Sequence, residues 1–389
     1  MVFFKKVPKN VLVLGIVSFF NDIASEMIYP IVPIFLTSVL GAPVAVVGFI
    51  EGIAEATASL MRLATGYLSD KIQKRKVFVV WGYSFSAVSK LLIGLATSWY
   101  FVLFARFIDR VGKGVRTSAR DSLLLQSTIG TNKGFIFGLH RAFDSGGAVL
   151  GPIAALILLA LLKENIRLIF FLAFIPSFFG VILLILFVRE KKEEKLEKFK
   201  FSFKWKTLNP SFKLFFIISM LFALGNSSDA FLILRSHSLG FTTTLVILAY
   251  VAYNLSQTIF STPAGRLADK IGARRVYAFG LIIFALVYLS FGIIDNPFWI
   301  WVLFPIYGIY IAFTDGVSKA YISQFIDQKE SGTYFGMYQT GIALTSFLAS
   351  FIAGILWSAI SPSATFFYGA GLALMAFLVL SYGRIVRKV

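Results

Sequence analysis

Carboxylates occur in pairs at helical spacing inside apolar stretches of this sequence. Asp22 and Glu26 stand four residues apart, and Glu51 and Glu55 repeat that spacing, so each pair shares one face of a helix. A carboxylate in apolar surroundings binds a proton more readily than one in water, and a nearby cation has the opposite effect. Each pair could therefore take up a proton and release it when a cation approaches.

The densest run of charge is the segment RFIDRVGKGVRTSARD, which begins at Arg106 and is flanked by apolar sequence. Two overlapping sets of charged side chains recur at helical spacing: Arg106, Arg110, Lys113 and Arg120 share one face, and Asp109, Lys113, Arg116 and Arg120 form a second stripe, with Asp121 following it. Such a helix face cannot point at lipid, because each charge at mid-bilayer costs roughly 3 kcal/mol or more. We expect Arg106 and Arg110 to line a central cavity. The lower cations, Lys113, Arg116 and Arg120, are expected to form a cytoplasmic gate, with static ion pairs as the open alternative.

The composition sets these charges in an unusually apolar chain. Hydrophobic residues make up 58% of 389 residues, which is more apolar surface than one or two soluble cores could bury. The formal charge is +18, but the cations lie mostly in short loops between apolar runs, so no nucleic-acid partner is expected. The chain has no cysteine, which excludes disulfides and thiolate metal sites. We expect no cofactor and no metal.

Apolar runs of the length needed to cross a bilayer predict about twelve spans. They are 10–39, 43–68, 77–97, 100–127, 133–162, 167–188, 213–235, 243–264, 275–294, 297–325, 332–360 and 364–384. Lysine and arginine concentrate in alternate loops, so the positive-inside rule places both termini in the cytoplasm. The first run continues to about Leu40, which predicts a retained span rather than a cleaved signal peptide. We expect a multi-pass, monomeric protein of a prokaryotic inner (plasma) membrane.

The two halves of the sequence resemble each other. The segment GYLSDKIQKRKV at 66–77 recurs as GRLADKIGARRV at 265–276, each time between the second and third predicted spans of its half. A repeat of half the chain predicts two similar bundles with a binding site between them. We expect Gly66 and Gly265 to close helix ends in these loops.

A single long polar segment, starting REKKEEK, separates the halves. The sequence therefore predicts an all-α membrane protein with twelve transmembrane helices in two pseudo-symmetric six-helix bundles. We place the N-terminal bundle at 1–188, a cytoplasmic linker at 189–212 and the C-terminal bundle at 213–389.

Both copies of the repeated loop match the pattern G-x-L-x-D-x-x-G-x-[RK]-[RK] of the major facilitator superfamily, which the chain resembles over essentially its whole length. The first copy departs from the pattern at Gln73, where the second has Gly272. The resemblance implies that these loops stabilise an outward-facing state. The latch residues it implies are Gly66, Asp70, Arg75, Gly265, Asp269 and Arg274.

The segment GLHRAFDSGGAVLGPIAA resembles the fifth-helix antiporter motif of the same family. It places Gly138, Gly147, Gly151 and Pro152 at the motif spacing, with Ala155 where the motif ends in glycine. The resemblance implies export more than import. Generic packing of small residues between helices is the open alternative.

Two further segments resemble family signatures. RFIDRVGKG aligns with the fourth-helix pattern R-F-x-Q-G-x-G, so Arg106 takes the place of an arginine associated with proton coupling, although Asp109, Arg110 and Lys113 depart from that pattern. SEMIYPIVP, which contains Glu26, resembles the acidic first-helix signature of some drug–proton antiporters.

These observations assign proton coupling to Asp22 and Glu26, with Arg106 as a modulator. The candidate cavity and substrate residues combine charge, amide and aromatic character: Tyr29, Glu51, Glu55, Arg110, Asp144, Asn226, Asp229, Tyr253 and Tyr338.

The function that the sequence favours is secondary active transport, as proton-coupled export of a small organic molecule by alternating access. Proton-coupled uptake or exchange of an anionic metabolite or nutrient is the main alternative, because arginine and lysine attract carboxylate and phosphate. A non-transporting membrane sensor or scaffold is a third possibility. No enzyme is expected, because HExxH, GxSxG and GxxxxGK[ST] motifs are absent from the sequence. The expected partners are a small-molecule substrate, protons or another coupling ion, and the lipid bilayer.

Overall fold

The computed structural model describes residues 7–72, 74–126, 133–163, 165–190, 208–322, 324–325 and 331–382. Within these residues all regular structure is helical, and twelve long helices follow one another. They are α1 (Lys9–Val39), α2 (Val44–Ile72), α3 (Arg75–Leu95), α4 (Trp99–Gln126), α5 (Lys133–Leu161), α6 (Ile166–Phe187), α7 (Pro210–Ser238), α8 (Thr243–Ile271), α9 (Ala273–Ile293), α10 (Ile300–Ile322), α11 (Ser331–Ala359) and α12 (Pro362–Tyr382). The prediction of an all-α membrane protein with twelve spans is confirmed.

Helix α4 differs in composition from the other eleven. Those eleven contain described segments that are long and apolar enough to cross a membrane. Helix α4 is long enough but carries the charged run that begins at Arg106. Its crossing therefore depends on neighbouring helices that shield and compensate the charges.

The first helix of each half is interrupted. Helix α1 runs regularly over Lys9–Ile28, then passes through a turn containing Pro30 and ends in a five-residue π-helix, Phe35–Val39. Helix α7 runs over Pro210–Gly225 and resumes at Ala230–Ser238. Non-helical backbone at membrane depth is tolerated only where protein groups or water satisfy its hydrogen bonds. The α7 interruption falls on a run of four polar residues, 226–229.

The chain forms two compact units. One consists of Met1–Ala42 and Ile53–Glu197, and the other of Pro43–Gly52 and Lys198–Val389, so the first turns of α2 belong with the second unit. In the first unit α1 packs on α5 and α6, and α3 packs on α4 and α6. In the second unit α7 packs on α11 and α12, and α9 packs on α10 and α12. The same pairing in both units is the structural counterpart of the sequence repeat.

An arginine secures the last turn of the third helix in each half. In the first unit the Arg167 guanidinium donates hydrogen bonds to the carbonyl oxygens of Gly94 and Ala96, at 3.0 and 2.6 Å. In the second unit Arg235 does the same at the end of α9, at 3.1 and 2.8 Å. These carbonyls have no partner within their own helix, so each arginine satisfies groups that would otherwise lack one.

Candidate functional site

The acidic residues of α1 lie directly against the glycines of α5. A Cβ atom added to Gly147 would lie 2.9 Å from the Cβ of Asp22. One turn later, a Cβ on Gly151 would lie 2.9 Å from the Cβ of Glu26 and 2.6 Å from the Ile23 carbonyl oxygen. Only glycine fits at these positions, so the two glycines set how closely the acidic turns of α1 approach α5.

A polar pair on α1 and α6 supports Asp22 from the side. The Asn21 side chain is buried, and its amide nitrogen lies 3.5 Å from an Asp22 carboxylate oxygen. The Ser177 hydroxyl of α6 donates to the Asn21 amide oxygen at 3.4 Å. The orientation of Asp22 is therefore coupled to the packing of α6 on α1.

The charged face of α4 contains its own counter-charge, Asp109, for two of its arginines. The Asp109 carboxylate lies 4.0 Å from the Arg106 guanidinium and 3.8 Å from that of Arg110, and Ser89 of α3 donates to it at 3.4 Å. Arg106 is only 3% exposed. The two arginines therefore face protein rather than lipid, and Asp109 is the acid between them.

Helix α3 contributes a buried lysine beside this cluster. Lys90 is 0% exposed, and its ammonium donates to the Ser86 carbonyl oxygen at 2.8 Å. The same serine accepts a hydrogen bond on its hydroxyl from Arg116, at 2.6 Å, and the Arg116 guanidinium lies over the Tyr83 ring at 4.6 Å. The α3–α4 interface thus places two cations on polar and aromatic groups of α3.

Small residues allow α4 to bury this face. A Cβ on Gly82 of α3 would lie 2.7 Å from the Gly112 carbonyl oxygen, and one on Gly114 would lie 2.6 Å from the Ala58 carbonyl oxygen of α2. The Ser118 hydroxyl donates to an α2 carbonyl oxygen at 3.0 Å. Close backbone approach on both sides excludes lipid from the charged face.

The last cationic turns of α4 contact α1. Arg120 donates to the Asp121 carboxylate at 3.1 and 3.0 Å and to the Ser18 hydroxyl of α1 at 3.3 Å. Ser18, Asp22 and Glu26 follow one another at intervals of four residues and therefore lie on one face of α1. That face points toward α4 and α5.

In the second unit, Asp229 lies at the interruption of α7 and is held by two tyrosines. The Tyr307 hydroxyl of α10 donates to one carboxylate oxygen at 2.7 Å, and the Tyr253 hydroxyl of α8 donates to the other at 3.2 Å. The Asn226 amide, at the start of the interruption, donates to the Tyr310 hydroxyl at 2.9 Å. Asp229 itself stays partly exposed.

The rings around Asp229 form a continuous aromatic group, which we call the tyrosine cage: Tyr250, Tyr253, Tyr288, Tyr307 and Tyr310. Adjacent ring centroids lie 5.3 Å apart for Tyr250 and Tyr253, 5.4 Å for Tyr253 and Tyr307, and 4.9 Å for Tyr307 and Tyr310. All five rings are buried. The cage is therefore a buried, packed group of rings beside the acid at the helix break.

Comparison with known proteins identifies the family of the chain. A family model for the Major Facilitator Superfamily matches residues 14–236 and 214–388. The chain belongs to the major facilitator superfamily. Membership supports secondary transport of a small molecule across a lipid bilayer, and it confirms the resemblance read from the sequence motifs.

Relatives and solved structures of this superfamily extend the match to nearly the whole chain. A protein of Methanocaldococcus jannaschii, named as an uncharacterized MFS-type transporter, is 38% identical over 385 residues, or 97% of this chain and 96% of the relative. The crystal structure of the nucleoside transporter NupG has a TM-score of 0.77 at 15% identity, covering 96% of this chain and 99% of that one. A POT family transporter in complex with 5-aminolevulinic acid has a TM-score of 0.81 at 13% identity, covering 96% of each chain. These two structures share the fold.

The repeated loops of the superfamily are described mainly in the second half. Arg274 donates to the carbonyl oxygens of Leu380 and Ser381 at the end of α12. Asp269 is exposed. The prediction that Gly265 closes a helix end is wrong: α8 continues past it to Ile271, and Gly272, with a φ of 96°, ends the helix. Gly265 has open space where a Cβ would be, so helix packing does not require glycine there.

In the first half, α2 likewise continues past Gly66 to Ile72, so the prediction that Gly66 closes a helix end is also wrong. The side-chain surroundings of Asp70 and Gly138 lie outside the described residues. Arg75, the counterpart of Arg274, has a buried side chain. Its backbone N–H donates to the Glu190 carboxylate at 2.5 Å, and the next N–H donates to the same carboxylate at 3.1 Å. The start of α3 is thereby tied to the segment that follows α6.

The remaining candidate residues do not form one cluster; each has its own surroundings. Tyr29 ends the regular part of α1, and Pro152 lies within α5. Glu55 and Lys113 are exposed. Tyr338 stacks on Phe215 with ring centroids 6.1 Å apart. Asp144 pairs with His140 at 3.4 Å.

Sequence reasoning did not single out several residues that the structure brings to these sites: Asn21, Lys90, Ser177, Tyr288, Tyr307 and Tyr310. A usable signal existed for Lys90, because it is the one charged residue in the predicted span 77–97. The tyrosines offered none, since the chain contains 15 tyrosines and 43 phenylalanines and only the fold selects among them.

Proposed function

We propose that the protein is a proton-coupled exporter of a small organic molecule that works by alternating access. The observation that carries the proposal is the contact of Gly147 and Gly151 with the α1 turns of Asp22 and Glu26. The glycine motif that the family associates with exporters meets the two carboxylates best suited to carry protons. We place the protein in the inner (plasma) membrane of a prokaryote, with both termini in the cytoplasm.

In this proposal, transport is coupled to protons through the protonation of Asp22 and Glu26 on α1. Asp22 and Glu26 are partly exposed, so protons can reach them, while the helix contacts that surround them make an uncompensated charge costly. A carboxylate in such a position is neutralised by a proton or by a cation. A small movement of α1 against α5 would change which of the two is favoured, and the close glycine contacts make that movement stepwise rather than continuous.

The cations of α4 control how much positive charge lies near Asp22 and Glu26. Arg120 is hydrogen-bonded to Ser18, one turn before Asp22 on α1. Arg106 is paired with Asp109, earlier on α4 than Arg120. Rearrangement of these pairs would move positive charge toward or away from the α1 face. In this proposal Arg106 modulates proton binding without itself carrying the proton.

One observation favours a second function, the proton-coupled uptake or exchange of an anion. Lys113 is exposed on α4 while its neighbours Arg110 and Arg116 are buried. An accessible ammonium in the middle of a cationic face could attract a carboxylate or phosphate. The direction of coupling separates this function from export.

Proteoliposomes with opposite pH gradients test the proposal. An antiporter accumulates substrate in vesicles that are acid inside, because outward proton flow drives substrate inward, whereas a symporter does so in vesicles that are acid outside. A panel of cationic, neutral and anionic organic molecules should contain one that accumulates only with the acid-inside gradient. Accumulation of an anion only with the acid-outside gradient would establish the second function and exclude the first.

A further inference from the structure

The acid of the tyrosine cage has an unusual set of partners. Both carboxylate oxygens of Asp229 accept hydrogen bonds from neutral hydroxyls, those of Tyr307 and Tyr253. Among the residues that the structure describes, no lysine, arginine or histidine forms an ion pair with Asp229. The first unit is arranged differently, since Asp109 and Asp144 have basic partners there.

Within the described part of the chain, the charged group that acts on Asp229 is an acid, Glu51. Glu51 belongs to the same compact unit, on the first turns of α2, and its charge repels that of Asp229. Helix α11 connects the segments that carry Glu51 and Asp229. Gly48 of α2 packs on the Ser350 backbone of α11, and the Ser350 hydroxyl accepts a hydrogen bond from the Ser228 N–H at 3.1 Å. Glu51, which is 8% exposed, follows Gly48 by three residues on α2.

The interruption of α7 fixes the cage around Asp229. The Asn226 amide donates to Tyr310, and the hydroxyls of Ser227 and Tyr288 lie 3.4 Å apart. The hydroxyls of Tyr253, Tyr288, Tyr307 and Tyr310 are thus held by the polar groups of the break or by Asp229. A carboxylate beside a group of aromatic rings attracts organic cations, because the carboxylate is negatively charged and the ring faces carry negative partial charge.

We propose that Asp229 and the tyrosine cage bind an organic ammonium ion, the cationic group of the transported substrate. This inference rests on the proposed function only in taking the ligand to be the substrate. An uncompensated carboxylate inside a membrane bundle is costly unless a proton or a cation neutralises it. Asp229 is protonated when the cage is empty and releases that proton when the ammonium binds, so the second unit exchanges a proton for substrate.

Equilibrium binding to the purified protein in detergent, at fixed pH and without a gradient, tests the site. The probes are choline, tetraethylammonium and benzyltrimethylammonium, with dimethylbutanol, in which carbon replaces the ammonium nitrogen of choline, as the neutral isostere. At least one ammonium should bind. Asp229→Asn should weaken that binding by at least about tenfold, and Tyr307→Phe, which keeps the ring and removes one hydroxyl, by severalfold.

The matched control is Asp315→Asn, because Asp315 is an exposed acid of α10 that already pairs with Lys319 at 3.5 Å. It should bind as the parent does. If Asp229→Asn does not give a folded protein on size-exclusion chromatography, Tyr253→Phe and Tyr307→Phe serve in its place. The proposal is overturned if no ammonium binds, if dimethylbutanol binds equally well, if sodium ions displace the probes, or if these variants bind as tightly as the parent.

This experiment separates the site from the proposed coupling mechanism. Binding requires no pH gradient and leaves Asp22 and Glu26 unchanged, so it can succeed even if those two residues carry no protons. Conversely, gradient-driven transport of a neutral substrate would support the coupling mechanism and exclude the ammonium site.

Discussion

Gly151 of α5 packs directly on Glu26 of α1, with only 2.9 Å between the Cβ of Glu26 and the position that a Cβ on Gly151 would occupy. The two residues are 125 positions apart in sequence and come from two separately recognisable motifs. Their contact gives the small-residue motif a physical role, which is to bring a protonatable turn against a neighbouring helix without an intervening side chain.

The Gly151→Ala variant tests that role. Its added methyl group would meet the Ile23 carbonyl oxygen at 2.6 Å, so α1 must move away. We expect a stability loss of about 1–3 kcal/mol and the loss of most gradient-driven transport. Gly146→Ala is the control, since its methyl group would meet only the Phe19 ring at 3.4 Å. Similar effects of the two variants on thermal unfolding and transport would show that close packing at Gly151 is unimportant.

The Asp109→Asn variant tests charge compensation on α4. Without this carboxylate, Arg106 and Arg110 lose a buried counter-charge, and we expect stability to fall by about 3–5 kcal/mol. Asp315→Asn removes the exposed partner of Lys319 and should cost less than about 1 kcal/mol. Thermal unfolding in detergent measures both. Equal losses would mean that Asp109 contributes no more than a surface acid.

The buried Lys90 should be energetically coupled to Asp109. The two groups attract each other across the α3–α4 interface, and Ser89, the neighbour of Lys90, donates a hydrogen bond to Asp109. Lys90→Met alone and Asp109→Asn alone should each destabilise the protein. The double variant keeps the net charge of the parent and should recover part of the loss, giving a coupling energy of about 0.5–3 kcal/mol. Additive losses in a double-mutant cycle would show that the two side chains act independently.

Glu190 anchors the segment after α6 to the start of α3. Glu190→Ala removes the carboxylate that accepts two backbone N–H groups, at Arg75 and Lys76, and should cost about 1 kcal/mol locally. Amide hydrogen exchange at those positions should accelerate. Arg189→Ala is the matched control, because the hydrogen bonds between Arg189 and Asn10 use only the backbone of Arg189. Unchanged exchange in Glu190→Ala would show that the cap does not hold α3.

The sequence predicted the architecture well because hydropathy identifies eleven of the twelve spanning helices, and the apolar flanks of the charged run identify α4. It also indicated that the α4 charges face protein, since lipid excludes them. It did not predict the interruption of α7, because hydropathy predicts one continuous span over 213–235. Polarity alone makes Asn226 and Asp229 candidates, and the helix break places both against tyrosines.

The sequence does not predict which residues of different helices contact each other. Helical spacing places Arg106 and Asp109 on overlapping stripes of α4, but the contribution of Ser89 and Lys90 depends on how α3 packs against α4. Glycine positions show the same limit. The sequence assigned a helix end to Gly265, whereas the positive φ that ends α8 belongs to Gly272.

The most direct test of the central claim compares two transport modes in the same proteoliposomes, for the parent, Asp22→Asn and Glu26→Gln. Accumulation driven by an acid-inside gradient requires net proton movement, whereas exchange of labelled for unlabelled substrate does not. We predict that at least one of the two variants loses gradient-driven accumulation while it retains exchange. Full gradient-driven accumulation by both variants would contradict the assignment of proton coupling to the α1 carboxylates.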